Sequence, residues 1–284
     1  GCTGWRFVVE ELQRAGAEAR LAEPADTATL RGRKKRAKTD RGDARHLRSL
    51  LVEDRLPESW IPPAHLLEVR TRGRVYVAVM NQRRAWQQRI QAQLFHQGVA
   101  KRTGLLTAAG RAHLHDAELS AAGRQMVEVA LRIIDALGVE ADLLRDELKD
   151  FARRQPGCRA LVDGLYGVGE LTAAVIWAEM GDTRRFSSSD QAVRHSGLDI
   201  TVYESDGKRS RGRLSRQGPP ALRWALFEAA LPAARSGSPD HRYFLDTAER
   251  VGAKRAYLSV ARKLARRTHH ILRSLGDTAW QPVT

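Results

Sequence analysis

HLLEVRTRGRVYVAVMNQRRAWQQRIQAQLFHQ, residues 65–97, contains no proline and reads as one long helix. Its apolar seam is thin, drawn from Leu66, Val69, Val77, Met80, Ile90 and Leu94, and the rest is crowded with Arg and Gln. Two further helical patterns follow, Arg111 to Leu137 and Glu140 to Arg153, with Gly138 read as the break between them. Three helices with thin seams imply an antiparallel coiled-coil arm, and thin seams need a partner chain, so dimerisation through this arm is expected. Pro156-Gly157 closes the arm.

Toward the N-terminus, Pro57, Pro62 and Pro63 form a linker around Trp60. Before it, Thr39 reads as a helix N-cap with Asp40 and Asp43 in the first turn and Ala44, Leu47, Leu50 and Leu51 as the apolar stripe. Arg31 to Lys38 carries six basic residues in eight, Lys34 and Lys35 among them, too charged for a core. An amphipathic helix from Trp5 to Ala15 and a short strand around Leu21 precede it, as in one α/β unit. The chain opens Gly1-Cys2-Thr3-Gly4-Trp5 with no Met, which raises the expectation of a missing N-terminus.

Toward the C-terminus, residues 158–235 change composition to Gly-punctuated short helices and a long basic loop, and Lys254 to Leu275 is a basic amphipathic helix. The whole chain of 284 residues has 48 Lys+Arg against 33 Asp+Glu, a net charge of +15, which is the balance of a nucleic-acid-binding protein. With 42% hydrophobic residues it can bury a core and is not intrinsically disordered. No apolar run is long enough to cross a membrane and the opening lacks the pattern of a signal peptide, so the reading is cytoplasmic with no membrane partner. Cys2 and Cys158 are the only cysteines, which removes a disulfide framework and a zinc finger.

Three constellations carry candidate chemistry. Asp40 and Asp43, three apart, project from one helix face and can share a Mg²⁺, although acids in a first turn also simply offset the helix dipole. Leu165-Tyr166-Gly167-Val168-Gly169, with Ala173 and Ala174 beyond, has the form of a helix-hairpin-helix turn. There Gly167 and Gly169 would let backbone amides hold a phosphate; the bland alternative is an ordinary tight turn between helices. Tyr203-Glu204-Ser205-Asp206-Gly207-Lys208-Arg209, continuing through Arg211, Arg213 and Arg216, sets Ser205 beside a turn dipeptide among cations. Such a hydroxyl is a candidate phosphoryl-transfer nucleophile, with Arg and Lys neutralising charge on phosphorus. His113 with His115, and His269 with His270, read as surface residues of helices, and Ser187 to Asp190 as the cap of a helix reaching Ser196.

In this order, Lys38-Thr39-Asp40-Arg41-Gly42-Asp43-Ala44, a helical arm, Gly167-Val168-Gly169, the segment Phe186 to Gly197 and the Ser205-Asp206-Gly207-Lys208 loop resemble the insertion-sequence transposases of the IS one-ten family. The resemblance runs from about Gly1 to Leu275. It implies a RuvC-like, RNase H-fold domain with a D-E-D-D metal site, a coiled-coil arm and a C-terminal domain with a nucleophilic serine. It further implies composite sites between protomers, a guide RNA, and a homodimer or homotetramer. Asp40 and Asp43 match the last two acids of that metal site and Ser205 matches the serine; the first Asp and the Glu have no match. Two of four ligands should bind Mg²⁺ poorly, so the chain alone is expected to be inactive in recombination. Asp206, where the family more often shows S-x-G-G-K-like residues, sets a negative charge beside the proposed nucleophile.

The fold expected is mostly α: residues 1–56 a partial RuvC-like α/β domain, 57–155 the coiled-coil arm, and 156–284 a C-terminal transposase domain with a helix-hairpin-helix. The function expected is DNA transposition through a phosphoserine intermediate with Mg²⁺ as cofactor and DNA and a guide RNA as partners. The rival readings are a helix-hairpin-helix protein that grips the DNA backbone without chemistry, and a decayed element product.

Overall fold

The computed structural model describes residues 3–30, 39–100, 102–201, 203–205, 208–210 and 212–283. These are mostly helical and fall into two units, Gly1–Pro63 and Ala64–Thr284.

The first unit holds α1 (Trp5–Arg14), β1 (Leu21–Ala22), α2 (Pro24–Thr29), α3 (Asp40–Val52) and β2 (Glu58–Ser59). The strands pair antiparallel, Leu21 opposite Ser59 and Ala22 opposite Glu58, and the Glu23 N–H donates to Pro57 O at 2.8 Å. The proline segment read as a linker thus carries a strand. Its two residues are too few to show the alternation that reveals a strand, and the pairing partner lies 38 positions earlier (Leu21 with Ser59). Few side chains here are buried, Val9 and Leu50 among them, while Phe7, Val8, Leu12, Leu47 and Leu51 stay exposed.

The second unit is organised around α8 (Glu170–Met180), reached through α4 (Ala64–His96), α5 (Ala108–Asp116), α6 (Ala121–Arg154) and α7 (Pro156–Gly164). Every residue from Ala173 to Met180 is buried. A helix apolar all round must lie inside a fold, and α8 is packed by α4, α6, α7 and α10 (Pro220–Ala230). Trp177 closes one end: its indole N–H donates to Ala279 O at 2.7 Å, and its ring stacks on Trp280 at 5.6 Å.

α4 and α6 form an antiparallel hairpin, with Arg72 near Glu147 toward the body and Gln97 bonded to Ser120 at the far end. That far end has its own core of Ile90, Leu94, Leu105, Leu114, Val127 and Ile134, roofed by α5. α6 runs unbroken through Gly138, contrary to the expected break. A glycine inside a helix costs only about 1 kcal/mol against Ala, and the flanking pairing with α4 outweighs it. The far N-terminal part of the second helical pattern is instead the separate α5, ended before Ser120, whose hydroxyl caps α6 by accepting from the Gly123 N–H.

Beyond α8 come α9 (Ser189–Ser196), the strands β3 (Tyr203–Ser205) and β4 (Lys208–Ser210), α10, α11 (His241–Val251) and α12 (Ala253–Ser274). Much of the basic character of α12 is spent inside the fold. Lys263 and Arg267 hold the buried Asp240, Arg266 pairs with Asp190, and Arg273 donates to Phe186 O.

Candidate catalytic hairpin and acidic turn

In the first unit, Thr39 is the N-cap: its backbone is extended and its hydroxyl accepts from the Gly42 N–H at 3.2 Å. This starts α3 at Asp40 and sets Asp40 and Asp43 one turn apart, the first exposed and the second half-buried. Asp43 stands at a groove of about 1140 Å³ whose apolar walls include Trp5, Val8, Leu12, Leu47 and Leu51. Among the described residues no group of three or more His, Cys, Asp and Glu could hold a metal. Two carboxylates alone fit only the mode in which Mg²⁺ keeps several waters and takes further oxygens from phosphate. Lys34 and Lys35 lie outside the described residues.

In the second unit, α7 and α8 are joined by the turn Leu165–Gly169. Gly167 has φ +88°, and a Cβ there would lie 2.3 Å from Ala229 O, so both the backbone and the contact with α10 require glycine. Gly169 is exposed, but its N–H already donates to Thr172 Oγ1 at 3.0 Å. Glu170 opens α8 and pairs with Arg153 at 2.8 Å, placing a carboxylate where an anion would have to approach. The glycines therefore serve helix–helix packing and capping in this structure.

Ser205 ends β3. The strands pair antiparallel with Tyr203 opposite Ser210, Glu204 opposite Arg209 and Ser205 opposite Lys208. Asp206, Gly207 and Arg211 lie outside the described residues. The ladder continues toward the body: Ile200 bridges Leu214, Thr201 N–H donates to Arg213 O at 2.8 Å, and Ser215 N–H to Asp199 O at 3.0 Å. Between the pair Thr201–Arg213 and the pair Tyr203–Ser210 the register shifts by one residue, since two positions separate the partners on one side and three on the other. Gly212 sits in this stretch, and a Cβ on it would fall 1.7 Å from Thr201 O.

The base of the hairpin is clamped by two arginines through backbone oxygens. Arg223 Nη1 donates to Gly218 O and Ser196 O, and Arg262 Nε donates to Leu198 O at 2.6 Å. Burial holds both guanidinium pKa values below the ordinary value, with Arg216 adding to the effect on Arg223. Arg213 and Arg216 are exposed on the segment that follows β4, Arg216 at φ +55°, so their charges face solvent beside the hairpin.

One polar cluster went unseen in the sequence. Glu179, 1% exposed, accepts two bonds from Arg74 at 2.6 and 2.9 Å and lies 3.5 Å from Arg70 Nε. Arg70 also donates twice to Ala178 O, and Arg185 donates to Met180 O, so the carbonyl end of α8 is wrapped in guanidinium groups. Arg185 is brought down to about 10 by burial and by Arg70. His195, whose Nε2 lies 3.2 Å from Glu179 O, is brought down to about 4 by burial and by Arg185. Arg70 and Arg74 stand four apart on one helix, which was legible; their carboxylate partner is 105 residues from Arg74, which was not.

The histidine pairs divide. His115 and His270 are exposed, as expected. His269 is buried, against the expectation, because it falls on the stripe Ala261, Ala265, Thr268, Leu272 that α12 turns inward, with its ring 6.4 Å from that of Phe186. Ser188, within the expected capping segment, caps α9 by accepting from the Gln191 N–H.

Residues 159–245, from within α7 to within α11 and including the hairpin, match the family model described as Transposase IS116/IS110/IS902 family. The chain is also 32% identical over 245 residues to "Putative transposase y4rJ" of Sinorhizobium fredii (strain NBRC 101917 / NGR234), an alignment covering 77% of this chain and 60% of that protein. The chain thus spans about 60% of the length of the curated relative it matches. Over residues 159–245, then, this chain is similar to the transposase domain of the IS116/IS110/IS902 family, and over most of its length to a second protein named as a transposase.

Proposed function

We propose that this chain acts in insertion-sequence transposition, with Ser205 as the nucleophile on a DNA phosphate. The observation that supports it most is the hairpin: within the segment similar to transposases, a serine ends a strand opposite Lys208 on an arm clamped at its base. In the proposed step the Ser205 Oγ–phosphorus bond forms and a phosphorus–sugar oxygen bond breaks; the serine proton leaves to solvent, the leaving sugar oxygen takes one up from solvent, and the sugar hydroxyl so formed is kept for rejoining. Lys208, Arg209, Arg211, Arg213 and Arg216 offset the charge that builds on phosphorus. Mg²⁺, when held by Asp40 and Asp43, would supply further neutralisation of phosphate charge.

A guide RNA would deliver sequence choice in this reading. Self-association into a homodimer or homotetramer runs, in this reading, through the arm, where α6 exposes Val139 and Leu143 four apart. The test is a covalent protein–DNA adduct on a denaturing gel with DNA carrying an element end, using the complete enzyme. Ser205→Ala should abolish the adduct and leave DNA affinity within about three-fold. An adduct that survives Ser205→Ala removes the assignment, and steep salt-dependent binding with no adduct from the unsubstituted enzyme favours a backbone-gripping module.

A further inference from the structure

From Val69 to His115 the chain has no Asp or Glu in 47 residues and has nine Lys and Arg. A chain with 33 acids in 284 would place about five there. The stretch is α4, the following loop and most of α5, and its inward half is explained: Arg70 and Arg74 hold Glu179, Arg72 lies near Glu147, and Arg111 pairs with Asp135. Its distal outward part is not. Arg84, Arg89 and Arg102 are exposed and have no carboxylate within ion-pair distance among the described residues. Arg89 lies along the helix with its guanidinium 4.2 Å over the Trp86 ring, and Gln91 holds the loop by donating to Arg102 O.

Among these cations stands Phe95, 78% exposed, at the end of α4, with the His96 ring 6.4 Å away edge-on. A phenylalanine so open has no packing role in the core of Ile90 and Leu94 beside it. A membrane surface would need a broader apolar face than one ring, and the acid-free flanks call for a polyanion. An open aromatic face on the helix stripe that also carries Asn81, Arg84 and Gln88, with Arg89 on the flank of that stripe and Arg102 held beside Gln91, is the combination that stacks an unpaired base while holding its phosphates. Duplex DNA offers the phosphates but hides the base faces.

We propose that the distal outward face of α4, centred on Phe95 with Arg84, Arg89 and Arg102, is a docking surface for single-stranded DNA. The choice of DNA rests on the function proposed above, in which strand cleavage exposes unpaired bases. Phe95 stacks a base and the three arginines take phosphates of the same strand.

Fluorescence anisotropy on the 284-residue chain tests this with labelled dT20, a 20-base-pair duplex and rU20 at 50 to 200 mM salt. Phe95→Ala should weaken dT20 binding about 5- to 150-fold, the stacking of one base, and leave the duplex within about two-fold. Phe95→Trp should restore it. Replacing Arg84, Arg89 and Arg102 by Gln should lower the salt slope for dT20 by about two, at roughly 0.7 per phosphate. Because all four side chains are exposed, circular dichroism should be unchanged. Unaltered dT20 binding in Phe95→Ala, equal loss on dT20 and duplex, or rU20 held at least ten-fold tighter than dT20 each overturns the proposal while leaving the Ser205 assignment standing. A chain that binds none of the three probes overturns the transposition reading as well.

Discussion

Replacing Glu179 by Gln keeps the shape of the side chain and removes the carboxylate that Arg70 and Arg74 share at the end of α8. Arg74, whose side chain is 54% exposed, can turn to water and loses little, since exposed pairs contribute about 0 to 1 kcal/mol. Arg70 is different: its side chain is 14% exposed, burial already lowers its pKa, and its remaining neighbours Arg74 and Arg185 are cationic. Removing one partner of a buried pair costs about 3 to 5 kcal/mol. Arg70 keeps its two bonds to Ala178 O, which places the cost at the lower end, about 3 kcal/mol. For a unit the size of 64–284 that lowers Tm by about 6 to 12 °C, at roughly 2 to 4 °C per kcal/mol. Urea and thermal unfolding followed by circular dichroism at pH 7 give the number, with Arg70→Met and the double variant completing a cycle. A loss below about 1 kcal/mol, or strict additivity of the two changes, would refute the view that this ion pair closes α8.

Two further outcomes follow from the same region. His195 is brought from an ordinary 6.5 down to about 4, so the folded chain keeps it neutral while the unfolded chain takes up a proton as pH falls below 6.5. The stability it contributes is present above pH 6.5 and lost toward pH 4, up to about 3 kcal/mol for 2.5 units; urea midpoints at pH 7 and 4.5 should converge in His195→Gln, and an identical pH slope in that variant would count against the burial argument. Gly167→Ala, at φ +88° and with the new methyl 2.3 Å from Ala229 O, should cost at least about 2 kcal/mol, whereas Gly169→Ala, with nothing within 4 Å, should cost under about 1 kcal/mol. Equal effects at the two glycines would show that the α7–α8 turn does not rest on α10.

The placing of Ser205 and the arginines beyond it illustrates a general division of labour in a basic chain. The candidate hairpin is bounded by cations of two kinds. Arg223 and Arg262 are turned inward onto carbonyl oxygens and hold the arm, while Arg213 and Arg216 face solvent. In the sequence all four are simply arginines. The same holds along α12, where Lys263 and Arg267 converge on Asp240 and so join α12 to the start of α11. Net charge of +15 announces a polyanionic partner, but it does not say which cations are left over for it.

What the sequence determined by itself is local. The cap Thr39, the bounds of α4 and the 3.6-residue stripe of α12 follow from side-chain and backbone chemistry within a few residues, and all are present in the structure. The order of its motifs also carried the likeness to transposases, because order survives where each motif alone is weak. Tertiary structure decided the rest. Whether Gly138 breaks a helix depends on α4 lying alongside; whether Gly167 faces a ligand or a helix depends on Ala229; and Glu179 meets Arg74 only because α4 packs on α8. The register of the hairpin is set by pairing across the turn, Thr201 with Arg213 twelve residues on and Tyr203 with Ser210 seven residues on. Local propensity acts through the chain and is read along it, whereas burial, ion pairing and register act through space between segments that the one-dimensional pattern leaves unpaired.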